Sequence, residues 1–167
     1  MLVRYWNSDK YKVSFLGVPK CGSSTVRKLL DCNPEKDWTL EPKYSTTITL
    51  LRHPYSRVVS GYHECDRMGI LKAKGVENFE QFIYAIENLG YFNEHIEPMA
   101  AYFKECDKVL IMENDFINDL GDFLGEELPF EQENKTKYNK IEGFEDRIRV
   151  LYPMDYELYN TYSNMNN

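Results

Sequence analysis

The sequence has little of what metal-binding and disulfide-stabilised proteins depend on. It contains four cysteines and three histidines in 167 residues, and no two cysteines form a CxxC pair. Zinc sites and disulfide frameworks are recognised by closely spaced cysteine and histidine residues, so neither is indicated. We expect reduced thiols and no metal, as is usual for a cytoplasmic protein.

Long apolar runs and a positive overall charge are also missing. No stretch approaches the ~20 apolar residues that a membrane-spanning helix needs. The first residues, MLVRYWNSDK, lack the apolar core of a signal peptide, so we expect a soluble chain without a membrane span. The net charge of −7 argues against a nucleic-acid partner, because binding to phosphate backbones requires many Lys and Arg side chains.

One segment reverses the overall charge. Between Lys20 and Arg57 there are seven basic and four acidic residues, which gives a local charge of +3. A basic segment in an acidic protein is suited to holding a compact anion, although a solvated basic surface would give the same count.

Strand and helix patterns alternate along the chain. Runs of β-branched and aromatic residues predict strands at 2–6 and 11–16, paired as a hairpin, and at 46–51 and 108–112. Apolar residues at helical spacing predict helices from Val26, from Pro54 through Tyr62, over 79–86, over 116–124 and over 144–162, with a turn-like stretch at 129–140 and a polar tail at 163–167. The alternation predicts an α/β fold: one domain over residues 1–167, three αβα layers and a mainly parallel central sheet that binds ligands at the carboxyl ends of its strands.

A glycine-containing loop, residues 17–25, joins the second predicted strand to a helix. Such a loop presents backbone N–H groups to an anion, and Lys20 with the hydroxyls of Ser23, Ser24 and Thr25 can add donors. Its two glycines have the spacing of the GxxxxGK[ST] nucleotide loop, but Ser23 stands where that motif needs lysine. A phosphate-loop kinase is therefore the weaker alternative.

Residues 19–25, PKCGSST, resemble a loop of the sulfotransferases that use 3′-phosphoadenosine 5′-phosphosulfate (PAPS). In that family the 5′-phosphosulfate loop has the form PKxGS/TT/S at a strand-to-helix turn, which implies a phosphate-loop-like sulfotransferase fold. By this resemblance Lys20 contacts the bridging oxygen and neutralises charge on the leaving phosphate. The resemblance also implies that the 5′-phosphate and sulfate are held by Cys21, Gly22, Ser23, Ser24 and Thr25.

Residues 52–62, RHPYSRVVSGY, resemble the same family's 3′-phosphate motif, RDPxxRxxSxY. Arg52 and Ser60 would then bind the 3′-phosphate that distinguishes PAPS from ATP. Arg57 also falls in register, whereas His53 stands where the family usually has Asp.

Two further segments resemble the carbohydrate, Golgi-type branch of the family. Residues 93–98, NEHIEP, are similar to its HWxP segment, and residues 152–159, YPMDYELY, to its closing YxxDxxLY segment. The resemblance implies transfer of a sulfuryl group from PAPS to a hydroxyl of a carbohydrate-like acceptor, a glycan or a small alcohol. The remaining alternative is a module that binds the desulfated product, 3′-phosphoadenosine 5′-phosphate (PAP), without catalysing transfer.

The acceptor hydroxyl needs a general base, and histidine titrates nearest to neutral pH. His95 is the first candidate because it falls at the HWxP position. Several family members use a glutamate between the two cofactor motifs, which makes Glu41 the rival. We expect no metal, since sulfuryl transfer, like phosphoryl transfer, rests on positioning and electrostatics, and the sulfuryl group carries less charge.

Overall fold

The computed structural model describes residues 2–129 and 141–165, in which strands and helices alternate. The strands are β1 (Arg4–Ser8), β2 (Val13–Gly17), β3 (Trp38–Thr39), β4 (Thr46–Leu51) and β5 (Lys108–Ile111). The helices are α1 (Ser23–Leu29), α2 (Pro54–Arg67), α3 (Ile70–Ala73), α4 (Phe79–Leu89), α5 (Met99–Tyr102), α6 (Phe116–Leu124), α7 (Glu145–Leu151) and α8 (Pro153–Met165).

The strands form one five-stranded sheet in the order β3-β1-β2-β4-β5. β4 pairs in parallel with β2 on one side and with β5 on the other. β1 runs against both of its neighbours, and its hairpin with β2 sets Arg4 opposite Gly17 and Ser8 opposite Val13. The predicted hairpin and the mainly parallel sheet are confirmed.

Helices cover both faces of the sheet, which gives the predicted three layers. On one face Phe15, Ile48 and Leu110 pack in a buried cluster with residues of α1 and α6. On the other face Leu51 and Ile111 pack with residues of α5 and α8. The alternation of side chains along each strand sends neighbouring residues to opposite faces, so both faces bury apolar surface.

A further apolar cluster lies among the helices. Val58 of α2 packs with Phe82 and Ile83 of α4 and with Ile148 of α7. α2 therefore has one side in this cluster, and its opposite side is available to the carboxyl end of the sheet. The longest described helix, α2, has 14 residues, and none of the described helices meets the length and hydropathy that crossing a bilayer requires.

The end of the chain differs from the single helix predicted over 144–162. Tyr152 leaves the helical region at φ −125° and ψ 49°, so α7 ends and α8 begins at Pro153. Proline fits the first turn of a new helix but cannot continue an existing one, since it has no N–H to donate. α8 continues to Met165, three residues into the predicted tail. Most of the predicted turn-like stretch, residues 130–140, lies outside the described residues.

Candidate active site

The loop between β2 and α1 has two residues in the left-handed region of the backbone, Lys20 and Gly22. Gly22 lies at φ 72° and precedes the first residue of α1. A Cβ at this position would lie 3.1 Å from Cδ2 of Leu50, so glycine meets both a conformational and a steric requirement. Lys20 also has a positive φ, of 64°, which is uncommon for a residue with a side chain.

Three hydrogen bonds hold this loop in place. Arg52 Nη1 donates to the carbonyl oxygen of Lys20 at 3.3 Å, and Arg57 Nε donates to the carbonyl oxygen of Pro19 at 3.1 Å. The Ser23 hydroxyl donates to the carbonyl oxygen of Val18 at 3.0 Å. The two arginines come from the segment that follows β4, so each predicted motif stabilises the other. The strained backbone of Lys20 is thereby maintained by its surroundings.

The loop side chains do not all face the same space. Cys21 is fully buried, and its thiol lies 3.7 Å from the sulfur of Met99. Burial raises the pKa of this thiol to about 12, so it stays neutral, and only its backbone is available to an anion. Ser24 is exposed, whereas Thr25 is buried. Ser23, Ser24 and Thr25 line the cleft described next.

A cleft of about 1000 Å³ lies over the carboxyl ends of the parallel strands. Lys20 from the loop, Arg52 at the end of β4, Ser60 in α2 and His95 in the segment before α5 all line it. Known ligand pockets span roughly 300–1,000 Å³, so this cleft can hold a ligand of nucleotide size. The structure thus brings together residues from both predicted phosphate motifs and the first candidate for the general base.

One wall of the cleft is basic. Arg27 reaches it from α1, with its Nε 3.2 Å from the carbonyl oxygen of Ser23 and its guanidinium 4.7 Å from the ring centre of Trp6. Arg4 lines the same wall. Lys20 and Arg52 also line the cleft. Lys20, Arg27 and Arg52 belong to the basic segment found in the sequence, whereas Arg4 lies outside it.

Arg57, in contrast, has a structural role. Its side chain is fully buried, and Nη1 lies 3.6 Å from the carboxylate of Asp155 in α8. It also donates to the carbonyl oxygen of Glu97, while Asp155 accepts the backbone N–H groups of Met99 and Ala100 at 2.8 Å. Arg57 therefore ties the β2–α1 loop to the segment that carries His95 and to the C-terminal helix. Sequence analysis missed this pairing, although Asp155 lies within the YxxDxxLY-like segment.

His53 is held in place by a neighbouring carboxylate and two tyrosines. Its backbone N–H donates to both carboxylate oxygens of Glu113 at 3.0 Å. Its imidazole packs edge-on against Tyr156 and Tyr159, with ring centres 5.6 and 5.2 Å away. Burial lowers the pKa of this imidazole.

The position of His95 depends on a glycine. A Cβ on Gly61 of α2 would lie 2.6 Å from the backbone oxygen of His95, so only glycine allows the helix and this segment to approach. Nδ1 of His95 is buried and has no hydrogen-bond partner among the described residues. Burial, with a smaller contribution from the charge of Lys20, lowers the pKa of His95, which favours the neutral form that can accept a proton.

Glu64 is a cleft residue that sequence reasoning missed. Its Oε2 lies 3.3 Å from Nζ of Lys20, and its other oxygen pairs with Arg67. The hydrogen bond from Arg67 and the charge of Lys20 lower the pKa of Glu64 to about 2. The available signal was its spacing, because Glu64 lies four residues after Ser60 and thus on the same face of α2.

Glu41, the rival candidate for the base, does not line the cleft. It is exposed and follows β3, the edge strand of the sheet. Among residues 2–129 and 141–165, no group of acidic, histidine and cysteine side chains is arranged to hold a metal ion.

A family model described as "Sulfotransferase family" matches residues 3–124, which include the β2–α1 loop, Arg52, Ser60 and His95. No curated protein and no solved structure matches the chain.

Proposed function

The chain belongs to the sulfotransferase family, and on this premise we propose that it transfers a sulfuryl group from PAPS to a hydroxyl of a carbohydrate-like acceptor. The observation that carries the proposal is the meeting of Lys20, Arg52, Ser60 and His95 in one cleft. PAPS carries phosphates at both its 3′ and its 5′ position. Its binding therefore needs two groups of hydrogen-bonding side chains, and each motif would supply one. Phosphate-loop kinases place a lysine at the position of Ser23, whose hydroxyl is instead bonded to Val18.

The residues present fit such a donor. The β2–α1 loop offers backbone N–H groups and Lys20 to the 5′ end, while Arg52 and the buried Ser60 offer a guanidinium and a hydroxyl to the 3′-phosphate. The basic wall that includes Arg27 compensates the negative charge of both ends. Charge-assisted hydrogen bonds of this kind are the strong ones in anion recognition.

The donor supplies a sulfuryl group whose bond to the bridging 5′-phosphate oxygen breaks as a bond to the acceptor oxygen forms. Lys20 stabilises the negative charge that develops on the leaving phosphate. His95 accepts the proton of the acceptor hydroxyl, because its lowered pKa keeps it neutral at pH 7. The loop and α2 hold the reacting groups in line, and this positioning supplies a large part of the rate enhancement.

The charges near His95 bear on the acceptor. Glu94, next to His95 in the sequence, lines the cleft, and the chain carries a net charge of −7. Acidic side chains repel a highly sulfated polymer. We therefore propose a short, weakly charged glycan or a small alcohol as the acceptor. The resemblance of residues 93–98 to a carbohydrate-branch segment supports the glycan.

The test is transfer of radiolabelled sulfate from PAPS to a panel of neutral oligosaccharides, uronate-containing oligosaccharides and small alcohols. We expect label in sulfate monoesters formed from the neutral acceptors, together with an equal amount of PAP. We expect Lys20→Ala to reduce turnover far more than PAP affinity. Equal losses in turnover and affinity would contradict the role of Lys20. PAP binding without transfer to any hydroxyl would favour a non-catalytic module.

A further inference from the structure

The ammonium of Lys20 already has an anionic partner inside the protein. Its Nζ lies 3.3 Å from Oε2 of Glu64, and each of the two side chains is only 18% exposed. The pair is therefore shielded from solvent more than a surface ion pair, and screening by salt weakens it less. Glu64 is fixed in turn, because its other oxygen pairs with Arg67 one turn further along α2.

The sulfuryl donor and Glu64 compete for the same ammonium group, that of Lys20. Under the proposed function Lys20 must stabilise charge on the bridging oxygen of the donor, yet in the donor-free protein it is engaged by a carboxylate. The low pKa of Glu64 means that this carboxylate is ionised throughout the neutral range. When the sulfuryl donor binds, the ammonium of Lys20 must therefore either leave Glu64 or contact Glu64 and the donor at the same time.

We propose that Glu64 is a positioning residue for Lys20, which holds its ammonium in the donor-free cleft and releases it to the donor. This inference rests on the proposed function. Glu64 acts through Lys20. It weakens the binding of the sulfuryl donor, because Lys20 must leave Glu64 before it can contact the donor. A carboxyl group with a pKa of about 2 is a poor proton acceptor at neutral pH, so proton transfer remains with His95.

A first experiment examines the ion pair without any ligand. Trace acetylation of the folded protein, read by mass spectrometry, gives the reaction rate of Lys20 relative to Lys72, an exposed lysine of α3. We expect Glu64→Gln to raise the relative rate of Lys20 several-fold, because an ammonium engaged by a carboxylate is less accessible. Asp66→Asn removes the same charge from the same cleft without a contact to Lys20, and we expect no change.

A second experiment measures the consequence for the donor. We expect Glu64→Gln to lower the Kd for PAP and the KM for PAPS by about two- to fivefold, the range of a modest ion pair, with a smaller change in kcat. Asp66→Asn serves as the control. In a Lys20→Ala background the effect of Glu64→Gln disappears, because the two residues act through one interaction.

The outcomes separate the two proposals. Unchanged acetylation of Lys20, equal effects of Glu64→Gln and Asp66→Asn on PAP affinity, or weaker PAP binding by Glu64→Gln would each overturn the role of Glu64 while the donor assignment stands. A wild-type protein that binds no PAP would overturn the donor assignment and with it the release step. In that case a faster acetylation of Lys20 in Glu64→Gln would leave only the ion pair itself supported.

Discussion

At the scale of single residues, two arginines of one motif have different tasks. Arg52 is partly exposed and lines the cleft, whereas Arg57 is fully buried and pairs with Asp155. The spacing of the motif predicts both positions but not this division, because burial depends on partners distant in the sequence. For the same reason Glu64 could not be predicted as the partner of Lys20.

The role of Arg52 gives the first prediction. Under the proposed function, Arg52→Ala removes a charge-assisted hydrogen bond to the 3′-phosphate, which costs about 1.5–3 kcal/mol, or roughly one to two decades in Kd for PAP. Isothermal titration calorimetry measures this change. Lys104→Ala, which removes an exposed cation outside the cleft, is the control. Unchanged PAP affinity in Arg52→Ala would show that the 3′-phosphate binds elsewhere.

His95 gives a prediction in pH. Because burial and Lys20 lower its pKa below the ordinary 6.5, the neutral base persists to lower pH than for a free histidine. We expect kcat/KM to fall on the acid side with a midpoint below 6.5 and to be flat above it. We expect His95→Asn to lower kcat/KM by about two to four decades and to remove the acid-side fall in kcat/KM. His63→Asn, a substitution in the same cleft, should keep this acid-side fall. Its absence in His63→Asn would contradict the assignment of His95.

At the scale of elements, the two strand-to-helix units were predictable and the short elements were not. β2 and β4 are short apolar runs, and the chain after each contains a glycine or a proline where the next helix, α1 or α2, begins, so local sequence determines both units. β3, with two residues, and α3 and α5, with four residues each, are too short for any periodicity to indicate. They form because neighbouring elements pair or pack with them. The break at Tyr152 was missed because the apolar spacing continues across Pro153.

α2 approaches the segment that carries His95 at Gly61. Gly61→Ala would bring a methyl group to 2.6 Å from the backbone oxygen of His95, so the segment that carries His95, the proposed base, must move. A shift of about 1 Å at reacting groups costs on the order of a hundredfold in rate. We expect kcat to fall by that order while PAP affinity changes little.

Steady-state kinetics and PAP titration of Gly61→Ala check this expectation. Ser56→Ala, in the same helix, adds no atom at the contact and is expected to behave as wild type. A Gly61→Ala protein with normal kcat would mean that His95 is not held by this approach.

At the scale of the whole molecule, the C-terminal helices support the cleft. The family match ends at residue 124, yet Asp155 of α8 pairs with Arg57, which in turn holds the β2–α1 loop. The site therefore depends on contacts between residues about a hundred positions apart. Sequence motifs predict which residues face a ligand, but the supports behind them follow from the packing of the complete fold.

This dependence predicts a large loss of stability. Asp155→Ala leaves the buried charge of Arg57 without its partner, which typically costs about 3–5 kcal/mol in the free energy of unfolding. Chemical denaturation followed by circular dichroism measures it. Asp122→Ala, at an exposed acid of α6, should change the free energy of unfolding by less than about 0.5 kcal/mol. Similar values for the two variants would show that the pair does not support the fold.

Under the proposed function, the cleft recognises a nucleotide with a 3′-phosphate. A thermal-shift titration with PAP, ADP and ATP, the last two with and without Mg²⁺, tests it most directly. A ligand at about a hundred times its Kd adds about 2.7 kcal/mol to the free energy of unfolding, which raises Tm by several degrees. We predict that PAP raises Tm and that ADP, which has no 3′-phosphate, does not. A Mg²⁺-dependent rise with ATP and none with PAP would mean that the cleft does not bind the 3′-phosphate, and would favour a kinase.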